Sequence, residues 1–243
     1  MSQVSILTIT QHSRFKNLQL LYHMIQRQEY FQIKEWVIVE GTQDVDLHEK
    51  NVKNISDFID EKMICTDIEM RLIVSDTIVP LSCLRNIGND NCKGDIIICM
   101  DDDDYYPPSR VPHAVSMLNK YNRLIAGCTS MYMYNYPEDK LYKYRGYHND
   151  HSTNNCFAYK KEYLETHRYT EGLTHAEESS FTNGFHEPMV QLNPEKCIVV
   201  SSHRLNTVNK LDFVNNKYLS EITDKNICDL IPRDIFDKMK QVF

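Results

Sequence analysis

Short apolar runs alternate with amphipathic segments along the first hundred residues. Val4–Thr10 is rich in β-branched residues and predicts a buried strand, and the apolar residues between 15 and 25 recur at helical spacing, which predicts a helix. The same alternation predicts further strands at residues 35–40, 71–75 and 95–100, with helices at 52–59 and 80–92. Strands that alternate with helices favour an α/β fold with a mostly parallel central sheet flanked by helices.

The second half of the chain is richer in tyrosine and has a more extended pattern. It predicts antiparallel strands added to the central sheet, at residues 123–136, 140–144 and 154–159. Shorter elements are predicted beyond them, with helices at 162–168 and 177–183, strands near 188–191 and 197–200, and a last helix after Pro232. Because the sequence has no internal repeat and no Gly/Ser linker, we predict a single domain over residues 1–243.

Composition narrows the class of protein. With 243 residues, of which 42% are hydrophobic and 25% charged, the chain has the make-up of a globular protein with one substantial core. Its net charge of -7 gives no basic field for a phosphate backbone, so nucleic acid is not an expected partner. Eight scattered cysteines without a CxxC pair predict buried reduced thiols, and no apolar run is long enough to span a bilayer. We therefore expect a soluble protein without a transmembrane segment, in the reducing environment of the cytoplasm.

Polar residues follow three of the predicted parallel strands, at the point where each strand ends. They lie at residues 10–14 after the first strand, 40–44 after the second and 101–104 after the fourth. In an open parallel sheet, ligands bind beyond the carboxyl ends of the strands. We therefore expect these three segments to share one edge of the sheet and to form the functional site.

Four consecutive aspartates, Asp101, Asp102, Asp103 and Asp104, stand directly after an apolar strand. Their carboxylates repel one another, and a bound cation relieves that repulsion. Carboxylate oxygens without neighbouring Cys or His suit Mg²⁺ or Mn²⁺, which use few protein carboxylates together with substrate phosphates. The alternative is a solvated acidic turn before the Pro-Pro break, but the preceding strand favours a metal site.

Four segments together resemble the family-2 glycosyltransferases. They are VSILTIT at residues 4–10, EWVIVEGTQD at 35–44, LRNIGND at 84–90 and CMDDDDYYPPSRV at 99–111. The last is the most specific, since it matches an apolar strand, Asp-x-Asp-Asp and a following proline. The resemblance implies a GT-A fold, a Rossmann-like α/β domain in which residues 1–110 bind the nucleotide sugar and residues 111–243 bind the acceptor.

The resemblance also implies roles for individual residues on the donor side. Asp103 would be the direct metal ligand, and Asp101 would contact the ribose or reach the metal through water, with Asp102 and Asp104 as second choices. The residues implied in donor binding are Thr10, Arg14, Glu40, Arg85, Asp101 and Asp102. The leaving group of this family is a nucleoside diphosphate, whose growing charge a Mn²⁺ or Mg²⁺ ion would stabilise.

Two further segments resemble parts of the family's acceptor side and C-terminal loop. HAEESSF at residues 175–181 is similar to the Glu-Asp motif, which makes Glu178 the implied catalytic base and Glu177 the alternative. The competing interpretation is an acidic first turn that the helix dipole favours. SSHRLNTVN at 201–209 resembles a loop that brings a histidine near the metal, so His203 is an implied metal ligand. The competing interpretation there is a structural histidine.

The aromatic stretch at residues 132–147 has two interpretations. Its rings would stack on sugars, or they would pack within strands, which explains most of the tyrosines. His148 and His151 have no thiolate or third histidine nearby, so we reject a zinc site there.

Together these features predict a metal-dependent glycosyltransferase that moves a sugar from a nucleotide-sugar donor to an acceptor hydroxyl. The resemblance implies inversion of configuration, and family frequency favours uridine diphosphate as the nucleotide. A nucleotidyltransferase is the nearest alternative, although the segment ITQHSRF lacks the glycine-rich loop of that class. The other alternative is a catalytically silent carbohydrate- or metal-binding protein with the same fold. The sequence leaves the acceptor open between glycan, lipid and protein.

Overall fold

A computed structural model describes residues 1–204, 206 and 217–243. Its strands are β1 (Val4–Thr10), β2 (Ile33–Glu40), β3 (Glu69–Ile73), β4 (Ile96–Cys99), β5 (Ile125–Gly127), β6 (Met131–Asn135), β7 (Lys140–Tyr144), β8 (Ala158–Lys160), β9 (Val190–Gln191), β10 (Val199–Ser202) and β11 (Leu219–Glu221). Its α-helices are α1 (Phe15–Gln26), α2 (Val45–Met63), α3 (Leu81–Asn91), α4 (Arg110–Tyr121), α5 (Glu178–Phe181) and α6 (Arg233–Val242). Single 3₁₀ turns include His12–Arg14, Asn154–Cys156 and Lys161–Glu165.

A seven-stranded sheet in the order β3-β2-β1-β4-β8-β5-β9 forms the centre of the fold. The first four strands run parallel, because a helix or helical segment carries the chain back between each strand and the next. Parallel strands in this arrangement place their carboxyl ends at one edge. The predicted α/β fold with a mostly parallel sheet is confirmed.

Both faces of the central sheet are buried, as the continuous apolar strands require. Ile6 and Trp36 belong to the core cluster on one face, where residues of α1, α2, α4 and α6 pack. Leu7 and Val37, which are their neighbours in sequence, belong to the cluster on the opposite face, where Leu84 of α3 packs. Successive strand residues point to opposite faces, so each strand contributes to two cores.

The second half adds strands to the central sheet and forms a separate one. Strand β8 pairs antiparallel with both β4 and β5, as predicted, whereas β9 pairs parallel with β5. A four-stranded sheet has the order β10-β6-β7-β11, in which β10 and β6 are parallel and the other pairs are antiparallel. The antiparallel additions predicted for the second half are therefore accompanied by two parallel pairs.

Several predicted elements of the second half are shorter in the structure. The extended segment expected over residues 123–136 is divided into β5 and β6, which lie in different sheets. The strand expected over 154–159 begins as the 3₁₀ turn Asn154–Cys156 and becomes β8 only at Ala158. The helix expected over 162–168 is likewise the 3₁₀ turn Lys161–Glu165. Among the described residues, none of the helices combines the length and the apolar character that a membrane span needs.

Candidate active site

The loops after β1 and β4 meet at the carboxyl edge of the central sheet, as the sequence predicts. The hydroxyl of Thr10 donates to Asp102 Oδ2 over 2.6 Å. Arg14 Nη1 lies 3.3 Å from Asp102 Oδ1 and 3.2 Å from Asp103 Oδ2. Because β1 and β4 are adjacent parallel strands, residues 92 positions apart in sequence form one hydrogen-bonded cluster.

Three of the four consecutive aspartates converge on one point. Each of Asp101, Asp103 and Asp104 places a carboxylate oxygen within 4.8 Å of the other two, and the first of them is partly exposed. Asp102 instead directs its carboxylate to Thr10 and Arg14. From the resemblance, Asp102 and Asp104 were equal alternatives to Asp101 and Asp103. The structure brings Asp104, and not Asp102, into the cluster. The three oxygens could together bind a hard metal ion as ligands.

Asp104 is held in place by two groups that the sequence did not mark as part of the site. Asn155 Nδ2 donates to Asp104 Oδ2 over 2.6 Å. The backbone N–H of Ser201 donates to Asp104 Oδ1 over 2.8 Å. These bonds fix the carboxylate from the second half of the chain. Asn155 is 51 residues from Asp104 in sequence, so only the fold shows that the two side chains meet.

Two of the aspartates at this edge are harder to ionise than an ordinary aspartate. Burial raises the pKa of Asp102 to about 7, although the guanidinium of Arg14 opposes this shift. Burial also raises the pKa of Asp101, and the nearby Arg85 opposes it. Carboxylates that resist ionisation in the folded protein gain from a bound cation, because the cation favours their charged form.

Arg85 links the loop after β4 to the segment before α5. Its Nε donates to Glu177 Oε1 over 2.6 Å, and its Nη1 lies 3.6 Å from Asp101 Oδ1. All three side chains are largely buried. Burial by itself would lower the pKa of Arg85, but the carboxylates of Asp101 and Glu177 raise that pKa well above its ordinary value. The resemblance predicts a donor-side role for Arg85 and an acceptor-side role for Glu177, and an ion pair joins these two residues.

The two adjacent glutamates have different surroundings. Glu177 precedes α5 and is paired with Arg85, whereas Glu178 is the first residue of α5 and accepts a hydrogen bond from the backbone N–H of Asn154 over 3.1 Å. Burial, and then the charge of Glu177, raise the pKa of Glu178. A carboxylate whose pKa is raised is a stronger base than an ordinary glutamate once it is ionised.

His203 lies beside the aspartate cluster, where the sequence placed it. Its Nε2 is 3.4 Å from Asp103 Oδ2, and Asn206 Nδ2 donates to the same oxygen over 3.0 Å. The ring of His203 stacks on Phe243 with centroids 4.1 Å apart, which connects the loop to the end of α6. Asn206 was not identified from the sequence, and residues 205 and 207–209 of the SSHRLNTVN segment lie outside the described residues.

Glu40 is at the predicted strand end, but its carboxylate is bonded within its own turn. It accepts from the backbone N–H of Thr42 and from Asn51 Nδ2 of α2, and only 1% of the residue is exposed. The hydroxyl of Thr42 in turn accepts from the backbone N–H of His12 over 2.8 Å. These contacts fasten the loop after β2 to the loop after β1. A direct contact between Glu40 and a nucleotide stays a prediction.

Three solved structures share this fold. TarS 1-349 from S. aureus in complex with UDP-GlcNAc has a TM-score of 0.63 at 13% identity, over 99% of this chain and 65% of that one. The mannosyltransferase PcManGT from Pyrobaculum calidifontis in complex with GDP-Man and Mn²⁺ has a TM-score of 0.61 at 13% identity, over 84% of this chain and 58% of that one. GalNAc-T7 with UDP, GalNAc and Mn²⁺ has a TM-score of 0.62 at 12% identity, over 83% and 44%. At these identities the likeness shows the GT-A fold alone, and the chain spans less than two thirds of each structure's length.

The sequence itself carries the family assignment. No curated protein sequence matches the chain significantly. The family described as glycosyl transferase family 2 matches residues 12–173, which is more than half of the chain. The matched segment includes the four aspartates, Arg14, Arg85 and Asn155, and it ends before the two glutamates and His203. The chain therefore belongs to glycosyl transferase family 2.

Proposed function

We propose that this chain is a metal-dependent glycosyltransferase that moves a sugar from a nucleotide-sugar donor onto an acceptor hydroxyl, with inversion of configuration. The observation that carries the proposal is the convergence of Asp101, Asp103 and Asp104 at the carboxyl edge of the sheet, in a chain of this family. UDP is the proposed nucleotide, because two of the three structures described above hold UDP or a UDP-sugar.

The three aspartate carboxylates are suitable ligands for a hard divalent cation. Asp101, Asp103 and Asp104 offer three carboxylate oxygens, and the ring of His203 lies close to the second of them. Mg²⁺ and Mn²⁺ prefer oxygen ligands and retain open positions for substrate phosphates. Bound there, the ion would stabilise the charge that develops on the nucleoside diphosphate as the sugar bond breaks.

The other residues of the donor side would act mainly by shaping the loops. Thr10 and Asp102 connect the loops after β1 and β4, and Glu40 closes the loop after β2 on itself. Arg14 partly neutralises Asp102 and Asp103, and its guanidinium would also attract the diphosphate. In this proposal, the first half of the domain holds the donor and the second half receives the acceptor.

Glu178 is the proposed catalytic base. Its raised pKa would let it take the proton from the acceptor hydroxyl as that oxygen attacks the anomeric carbon. A single in-line displacement of this kind inverts the anomeric configuration. Glu177, held by Arg85, would keep the guanidinium in place beside Asp101 and serve as a positioning residue.

The metal site is tested by comparing Asp103→Asn with a matched control, Asp60→Asn, which changes an exposed carboxylate on α2. Calorimetric titration with UDP, with and without Mn²⁺, measures the affinity of each variant. Loss of an indirect, supporting partner of a metal ligand already costs about 10-fold to 100-fold in metal affinity, so loss of a direct ligand should cost at least as much. Asp60→Asn should bind as the wild type does.

Four outcomes would contradict parts of this proposal. Wild-type affinity in Asp103→Asn would show that the metal lies elsewhere, and a wild-type protein that binds UDP equally without Mn²⁺ would refute metal dependence. Release of pyrophosphate during turnover, in place of nucleoside diphosphate, would favour a nucleotidyltransferase. Binding of donor with metal but without transfer or hydrolysis would identify a silent binding protein.

A further inference from the structure

Five aromatic and histidine rings form a continuous patch, which we call the ring platform. Its members are Tyr147, His148, His151, Phe185 and Tyr218. The ring centroid of His151 lies 4.8 Å from those of both Tyr147 and Phe185. Tyr147 lies 4.8 Å from Tyr218, and His148 lies 6.2 Å from Phe185. Centroid separations of this size are direct ring contacts, so three separate segments of the chain build one packed unit.

The ring platform faces outward. Tyr147 is 47% exposed and His148 is also exposed, and the other three residues are partly exposed. The preceding tyrosines behave differently, because Tyr132, Tyr134 and Tyr142 are buried in the second sheet. Packing of the sheet therefore explains those three tyrosines and leaves the exposed rings without a role in the core. Contiguous exposed apolar surface typically marks a binding site.

Phe185 is presented by a strained backbone. Asn183, Gly184 and Phe185 have φ angles of 48°, 71° and 62°, which lie in the left-handed region. Glycine adopts this region freely and asparagine tolerates it, but a bulky residue there is an outlier. Strained conformations persist where the surrounding structure holds them, and they are concentrated at functional sites. A phenylalanine where glycine would be relaxed points to a use for the ring.

Two segments connect the ring platform to the turn that carries Glu178. The hydroxyl of Thr182 donates to the backbone carbonyl of Glu178 over 2.7 Å and accepts from the N–H of Phe185 over 3.3 Å. His151 precedes Asn154 by three residues, and the N–H of Asn154 donates to Glu178 Oε1. Three residues span at most about 10 Å, so the backbones of His151 and Phe185 lie within that reach of residues bonded to the proposed base.

The rings meet mostly edge to face, with interplanar angles of 85° between Tyr147 and His151 and 70° between Tyr147 and Tyr218, and they offer a largely neutral aromatic surface. Burial, with the charge of His148 as a second cause, lowers the pKa of His151 to about 4, so this ring is uncharged near neutral pH. Polar groups stand at the rim, where Gln191 Nε2 donates to the carbonyl of His151 over 3.2 Å. Lys217 lies over the ring of Tyr218 at 5.0 Å. An aromatic surface with a polar rim matches the apolar face and the peripheral hydroxyls of a pyranose.

We propose that the ring platform binds a sugar ring of the acceptor, so that the acceptor of this enzyme is a glycan. The proposal rests on the proposed function, because it takes Glu178 as the group that meets the acceptor hydroxyl. It adds the chemical class of the acceptor and the residues that would select it. One sugar of the acceptor glycan would stack on the rings, while the next sugar presents its hydroxyl toward Glu178.

The test removes rings singly and together. Tyr147→Ala and Phe185→Gly each delete one ring, and the glycine also relieves the left-handed backbone. Phe185→Tyr keeps the ring as a conservative control. Phe31→Ala removes a 76% exposed ring that is distant in sequence from the ring platform, as a matched surface control. Affinity for cello-, chito- and manno-oligosaccharides is measured by saturation-transfer NMR and titration, together with Mn²⁺-dependent UDP binding and the unfolding temperature.

We expect the wild type to bind at least one of these oligosaccharides. Each single deletion should weaken that binding about threefold to tenfold, and the double variant more, which corresponds to the usual strength of one ring-stacking contact. Phe185→Tyr and Phe31→Ala should bind as the wild type does. UDP binding should be unchanged in all variants, and Phe185→Gly should unfold at or above the wild-type temperature.

Other results overturn the proposal. Unchanged oligosaccharide affinity in the double variant would show that the rings do not bind the acceptor. Loss of UDP binding or a large fall in unfolding temperature in both deletions would make the rings structural. A wild-type protein that binds none of the oligosaccharides, but binds micelles containing a polyprenyl phosphate, would replace the glycan by a lipid. If UDP fails to bind while the ring deletions still weaken oligosaccharide binding, the platform stands and the proposed transferase function fails.

Discussion

Substitutions at the adjacent residues Glu177 and Glu178 distinguish a carboxylate that acts in catalysis from one that stabilises the fold. Glu178→Gln keeps the size of the side chain and its ability to accept from the N–H of Asn154, but it removes the proton-accepting carboxylate. A positioned general base contributes about 10²-fold to 10⁴-fold, so kcat should fall by that factor while the affinity for donor stays the same. Glu177→Gln should lower kcat less, because its carboxylate is already engaged by Arg85.

The effects on stability should have the opposite order. The pKa of Glu178 is raised in the folded protein, so the folded state binds this proton more tightly than the unfolded state does. Ionisation of Glu178 therefore reduces stability as pH rises above the ordinary glutamate range, and Gln removes that cost. Glu177→Gln instead breaks a buried ion pair, which typically costs about 3–5 kcal/mol. The carboxylate of Asp101, 3.6 Å from Arg85, should keep the loss near the lower limit.

The assay measures kcat with saturating donor and acceptor, and the free energy of unfolding from denaturant titration, for the wild type and both variants. In the wild type, kcat/KM should rise with pH along a limb whose midpoint lies above the ordinary glutamate pKa, and Glu178→Gln should abolish that limb. The reverse ranking of kcat would move the base to Glu177. Two fully active variants would remove both glutamates from the mechanism, and equal stabilities would contradict the buried ion pair.

Two further predictions concern His203 and His151. His203→Ala should weaken Mn²⁺-dependent UDP binding, but less than Asp103→Asn does, since the ring lies 3.4 Å from that carboxylate as an auxiliary group; wild-type affinity in a titration would make His203 purely structural. Because the pKa of His151 is lowered in the folded protein, the unfolded state takes up a proton first as pH falls. Stability should therefore fall as pH drops from about 6.5 toward 4. The loss should be less than about 3 kcal/mol, because the ring is partly exposed. Denaturant titrations at several pH values should show a flatter dependence in His151→Phe, and an identical dependence would contradict the shift.

The first half of the fold could be predicted closely because its signals are local. The apolar run at Val4–Thr10 and the helical spacing after it depend only on neighbouring residues, and β1 and α1 follow them. The segment 123–136 was more difficult, because nothing local shows that the chain changes sheets after Gly127. A Cβ at Gly127 would lie 2.4 Å from Ser152 Cβ and 2.5 Å from Met189 Sδ, so the end of β5 packs closely against residues distant in sequence.

By itself, the sequence determined the alternation of strands and helices, the family, and the concentration of carboxylates after β4, since each depends on residue types in a short window. Only the tertiary structure decided which carboxylates converge. Asp102 turns to Thr10 while Asp104 is held by Asn155 and the N–H of Ser201, 51 and 97 residues away in sequence. Side chains of adjacent residues differ in direction, and partners at such separations are chosen by the packing of the sheet, which no local pattern records.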